Sequence, residues 1–243
     1  MDENRTSPPG WCEDKLSQFF DLARQNKFAS FYKLKSEYRI LLEIDSIFYD
    51  LIDNLINLPK WYTGLFITRA HSSYRVGVEL AMGGQPAESF MVFRSCLENA
   101  LYGLYVNQNE KSFEIWIRRH DDNESLKRAR TEFANKKLLD FLKSWNEAQY
   151  NVFRQLYERT IDFGAHPNER AFSSSLKMTE SPGQIRFDTS YITDDLLLLQ
   201  HSMKSGAQIG VCCLDIFQSI YRERFEIIGL SERINRLKDS GHL

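Results

Sequence analysis

Arg159 and His166 are the residues whose types and spacing most directly imply chemistry. They lie in Tyr157-Glu158-Arg159-Thr160-Ile161-Asp162-Phe163-Gly164-Ala165-His166-Pro167, with six residues between them. A guanidinium is a permanent cation whose planar fork matches phosphate oxygens. An imidazole moves protons near neutral pH. Together the two groups can cleave a phosphodiester without a metal. A spacing of seven returns to nearly the same helix face, so both belong on one side of the segment. Gly164 and Pro167 close the helix, which leaves His166 just past its negative end, where the dipole raises an imidazole pKa. The same residues also admit a structural reading. Arg159 then pairs with Glu158, Asp162 or a core carboxylate, and His166 satisfies terminal carbonyls.

A second charged pair, Arg94 and Glu98, falls one turn apart in Phe93-Arg94-Ser95-Cys96-Leu97-Glu98-Asn99-Ala100-Leu101-Tyr102, on a face otherwise aromatic and apolar. Charges on such a face are either paired or functional. A rival metal constellation would use His71, the His120-Asp121 pair and Asp140 or Asp162. His120-Asp121 stands in the polar run Arg118-Arg119-His120-Asp121-Asp122-Asn123-Glu124, which reads as an exposed helix end, and His71 as a surface or satisfied core histidine. No metal and no cofactor are expected. Phosphate loops, nucleophile elbows and zinc-finger spacings are missing. Cys12, Cys96, Cys212 and Cys213 lack CxxC spacing and read as buried free thiols in a reducing cytosol.

The elements that position these residues are helical by pattern. A first helix is expected over about Glu13 to Gln25, with Leu16, Phe19, Phe20 and Ala23 on one face. The next runs from about Lys35 to Asn57, ahead of Pro59. A third covers Trp61 to Met82 and turns at Gly83-Gly84. A fourth, Pro86 to Asn107, is apolar on more than one face, as expected of the central core element. Residues 110–145 mix both charge signs and fit two helices broken near Asp122-Asn123. A helix from about Asn146 to Phe163 delivers Arg159. Ser181-Pro182-Gly183 marks the turn of a short hairpin within 171–191, and Thr193-Asp194-Asp195 caps a last long helix to about Ile228.

The fold expected is therefore all-α, a single-domain bundle of about seven to eight helices with one short β-hairpin. Residues 1–10 read as a flexible lead-in, 11–59 as N-terminal helices packed on the bundle, 60–228 as the bundle itself, and 229–243 as a polar tail. Its 243 residues, 42% of them hydrophobic, provide for a substantial core. A formal charge of −2 gives no global pull toward nucleic acid, so an anion site must be a local patch. The apolar runs are broken by charge before membrane-spanning length, and no apolar signal core is present. A cytoplasmic protein without a membrane partner is expected.

Arg-x3-Glu on one helix, Arg-x6-His-Pro at the end of a later one, and a final long apolar helix together resemble the HEPN superfamily of helical-bundle proteins. The resemblance covers about residues 60–225. It is nearest to branches with extra N-terminal helices and a hairpin after the histidine. It implies a metal-independent endoribonuclease of the bacterial defence or toxin type, its active site completed across a homodimer. Arg159 would hold the scissile phosphate and His166 would handle protons, with Arg94, Glu98, Thr160 and Asp162 in support. Thr160 stands where active members carry a polar residue after the arginine. Relatives without catalysis serve as RNA- or nucleotide-binding modules, or as structural and protein-interaction modules, and those alternatives stand beside the enzyme. The apolar excess on the fourth and last helices is the sequence feature expected to face a two-fold partner.

Overall fold

Local signals fix the ends of most elements in this computed structural model, which describes residues 7–165, 176–181, 183–241 and 243. Asp14 opens α1 (Lys15–Lys33), accepting from the Leu16 amide at 2.8 Å and the Ser17 amide at 2.9 Å. Leu34 alone separates it from α2 (Lys35–Asp53). Helix α3 (Thr63–Met82) turns at Gly83 and Gly84 into α4 (Pro86–Gln108), which begins on proline. Three short helices follow, α5 (Glu110–Ile117), α6 (Asn123–Glu132) and α7 (Asn135–Trp145). Asn146 caps α8 (Glu147–Thr160) by accepting from the Gln149 amide at 3.0 Å. That helix widens into a π turn at Ile161–Ala165. Strands β1 (Leu176–Ser181) and β2 (Gln184–Thr189) pair antiparallel, from Leu176↔Thr189 to Ser181↔Gln184. Asp195 starts α9 (Leu196–Ile220), accepting from the Leu197 amide at 2.9 Å, and α10 (Arg222–Ile227) and α11 (Leu230–Asp239) end the chain.

The chain is thus an all-α bundle with one short hairpin. Its core is organised around α4, which packs against α3, α8, α9 and the π turn. Phe93 of α4 is fully buried between two glycines. A Cβ at Gly77 of α3 or at Gly206 of α9 would lie 2.5 Å from its ring. The aromatic therefore fills space that side chains on both neighbours would occupy, and the three helices approach closely because of it. Burial of each such ring contributes about 1.5–3 kcal/mol. Among the described residues, no helix is long and apolar enough to cross a membrane.

Four expectations change. Helix α1 extends to Lys33, and Leu16 and Phe20 are exposed at 62% and 48%, while Ser17, Asp21, Ala23 and Ser30 are buried. The inward face is polar because it is bonded: Ser30 Oγ donates to Met82 O at 2.9 Å and Asn26 Nδ2 to Thr193 O at 2.7 Å. Residues 110–145 form three helices, since the Phe133–Ala134 corner adds a second break. The last long helix stops at Ile220, with Tyr221 between α9 and α10. The segment 229–243 holds α11, where Leu230, Ile234 and Leu237 recur at helical steps and are buried. Arg233 on α11 clamps it to α2, donating to Glu43 at 2.7 Å, to Ser46 at 3.1 Å and to Asp50.

Candidate functional site

Helices α8 and α9 enclose a cleft of about 410 Å³, completed by Lys238 of α11. Its α8 wall is set by helical spacing, with Gln149, Val152 and Arg159 among the lining residues. Gln208 and Asp215 belong to the α9 wall. At one end Lys238 Nζ meets Asp215 at 2.7 Å, so that cation is neutralised. Burial raises the Asp215 pKa, opposed by Lys238.

Arg159 stands at the other end, half-buried. Its Nη1 donates to Gln208 Oε1 at 2.5 Å and to Ser205 Oγ at 3.3 Å. Both partners are neutral, and among the described residues no carboxylate pairs with it. Burial lowers its pKa without altering its charge near neutrality. A desolvated cation held by neutral groups in an open cleft favours an incoming anion.

His201 of α9, a position with no motif around it, adds a second functional group. It lies on α9 one turn before Ser205 and two before Gln208, on the same face. Its ring centroid is 5.2 Å from that of Phe163 and 6.0 Å from that of Phe90. Burial, then the Arg159 cation, lowers its pKa below the ordinary 6.5. The shift favours the neutral imidazole. The signal in the sequence is the His201, Ser205 and Gln208 stripe at helical steps along α9.

The other expected site residues separate. Arg94 and Glu98 do meet, at 2.9 Å, and Tyr157 joins them. Arg94 Nη2 lies 2.7 Å from the Tyr157 hydroxyl, which donates to Glu98 Oε1 at 3.1 Å. The Arg94 guanidinium also covers the Tyr157 ring, 4.9 Å from its centroid. Burial, with Glu98 second, pushes the Tyr157 pKa up to about 12. Tyr157 faces α4 while Arg159, two residues on and some 200° around the helix, faces α9. The triad therefore braces α8 against α4 and does not enter the Arg159 cleft. Thr160 is fully buried, its Oγ1 donating to Tyr157 O at 2.7 Å, so its hydroxyl is taken by its own helix. Asp162 is exposed on the π turn. His166 lies outside the described residues.

The π turn itself is held by a close approach. A Cβ at Gly164 would lie 2.1 Å from Ala87 O and 3.1 Å from Phe90 Cβ, so the backbone rests directly on the first turn of α4. Interruptions of this kind are frequent at functional sites. The residues of the rival metal constellation do not converge. His71 is buried, bonded to Asp45 at 2.7 Å and stacked on Phe48. Among the described residues, no group of three or more His, Cys, Asp or Glu side chains is placed to hold a metal ion. Cys96, Cys212 and Cys213 are buried free thiols, whereas Cys12 is exposed. No family model, curated protein or solved structure matches this chain.

Proposed function

We propose that this chain is a HEPN-like RNA-binding protein of the bacterial defence or toxin type, in which Arg159 holds a phosphate of the bound strand. The observation that supports it is the half-buried guanidinium whose hydrogen-bond partners among the described residues are the neutral Gln208 and Ser205. A structural arginine in a helical core is expected on a carboxylate, and among the described residues Arg159 has none.

In the ribonuclease form of this reading, His166 takes the 2′-OH proton and the freed oxygen attacks the adjacent phosphorus. The P–O5′ bond breaks, Arg159 offsets the charge on the phosphate, and the departing O5′ takes a proton from water while His166 returns its own to solvent, which leaves a 2′,3′-cyclic phosphate and a 5′-hydroxyl. One cation and one base carry this step, so the reaction is expected to proceed in EDTA. A homodimer belongs to the same proposal, on the resemblance alone. Most apolar side chains of α4 and α9 are buried inside the chain, while Met91 of α4 and Leu196 and Leu197 of α9 are exposed.

The experiment incubates purified protein with mixed RNA in EDTA and measures binding and cleavage together. Cleavage abolished by His166→Ala supports the enzyme; binding abolished by Arg159→Ala without cleavage by wild type supports the RNA-binding module. An absence of both rejects the proposal. The alternative is then a catalytically inactive structural or protein-interaction module, favoured by the exposed Leu16, Phe20, Phe28 and Phe31 of α1 and by the inward-turned Thr160.

A further inference from the structure

A second cavity lies away from the α8–α9 cleft, between α3, α4 and the end of α5. It holds about 470 Å³, within the size range of small-molecule sites. Arg69 from α3 and Arg119 just past α5 line it with Phe66, Asn99, Tyr102 and Trp116. Phe66 stacks obliquely on Trp116, 5.0 Å between centroids, and lies 6.3 Å from Tyr102. Three aromatic rings thus form one apolar wall.

Among the described residues, no free carboxylate balances the charge at this cavity. Glu98 also lines it, but Arg94 and the Tyr157 hydroxyl already hold that carboxylate. Arg69 and Arg119 make no salt bridge among the described residues, and the Arg119 Nε is buried with no hydrogen-bond partner. A buried charged donor left unbonded is unfavourable unless an acceptor arrives from outside. Asn99 spends its Nδ2 on Ser95 O at 2.7 Å, which leaves its Oδ1 as an acceptor.

We propose that this cavity binds a ring-bearing phosphomonoester, of the size and chemistry of a nucleoside monophosphate. Two uncompensated guanidiniums match the charge of about −1.5 to −2 that a phosphomonoester carries at pH 7. A carboxylate, with one charge, would leave a cation unmet. The aromatic wall takes the planar ring by stacking, and Asn99 Oδ1 accepts from an amino or hydroxyl group on it. The site is independent of Arg159, so its occupancy does not depend on the RNA-binding proposal.

Titration calorimetry on the full chain tests it, with adenosine and uridine 5′-monophosphates, adenosine and inorganic phosphate as probes. At least one nucleotide is expected to bind saturably, with adenosine and phosphate each roughly tenfold weaker or more, since each lacks half of the recognised chemistry. Arg69→Gln and Arg119→Gln should each weaken the nucleotide about tenfold, while Arg159→Ala leaves it unchanged. Arg69 is exposed, so Arg69→Gln reports on binding even where Arg119→Gln lowers the melting temperature. The proposal is overturned if neither nucleotide binds, if phosphate alone binds as well, or if nucleotide affinity survives in the folded Arg69→Gln variant.

Discussion

Arg159 Nη1 lies 2.5 Å from Gln208 Oε1, and that neutral contact replaces the carboxylate expected beside a structural arginine. The consequence is a separation of stability from binding. Arg159→Ala should change unfolding free energy by no more than about 1 kcal/mol, because it strands no buried anion. Chemical denaturation measures this, and a loss several times larger would mean that the arginine is a core tie. The same variant should lose RNA affinity. Arg159→Lys should lose most of it as well, because an ammonium cannot form the two-pronged phosphate contact.

His201 links pH to folding. Its native pKa lies below 6.5, through burial first and the Arg159 cation second. Above about pH 6.5 both states are neutral and its effect is constant. As pH falls below that value the unfolded chain takes up a proton before the native one, and stability declines toward the native pKa. His201→Gln should flatten this part of the pH–stability curve. An NMR titration of the imidazole should show a higher pKa in Arg159→Gln. An unchanged value there would remove the proposed coupling between the two groups.

Tyr157 predicts the opposite limb. Its pKa rises from 10.0 to about 12, through burial and then Glu98. The phenol's contribution is complete below about pH 10 and is lost as pH climbs toward 12, because the unfolded chain ionises first. Tyr157→Phe should remove that alkaline limb. It should also cost about 1–2 kcal/mol at neutral pH by breaking the bonds to Arg94 and Glu98. Phenolate absorbance during alkaline titration is the direct readout, and a tyrosine ionising near 10 at this position would contradict the bonded geometry.

Gly164→Ala introduces a methyl group where Ala87 O lies 2.1 Å away. Backbone atoms cannot swing aside as a side-chain end can, so the π turn must move. A loss of about 1–3 kcal/mol is expected in urea unfolding, together with weaker RNA binding as the turn beside Arg159 shifts. Wild-type stability in this variant would show that the turn is not docked on α4.

Light scattering at micromolar concentration should report a dimer, as the family resemblance implies. A monomer would remove the two-copy active site on which the ribonuclease form depends.

The sequence by itself determined the long helices and the hairpin. Apolar residues at three- and four-residue steps define α2, α3, α4 and α9, and Pro86, Asn146 and Asp195 mark starts because each meets a local requirement of the first helical turn. The turn at Gly183 was legible for the same reason, since it needs only neighbouring residues. Arg159, too, stood out by type and spacing. Its surroundings did not. Gln208 and Ser205 are 49 and 46 residues away along the chain, and nothing in periodicity says which polar residues of α9 will meet α8. The outward apolar residues of α1 and the burial of Leu230, Ile234 and Leu237 are likewise matters of which face finds a partner. The period of a helix is written in three or four residues. The neutral partners of Arg159, the lowered pKa of His201 and the meeting of Arg69 with Arg119 in one cavity arise only when distant segments pack, so tertiary structure alone decided them.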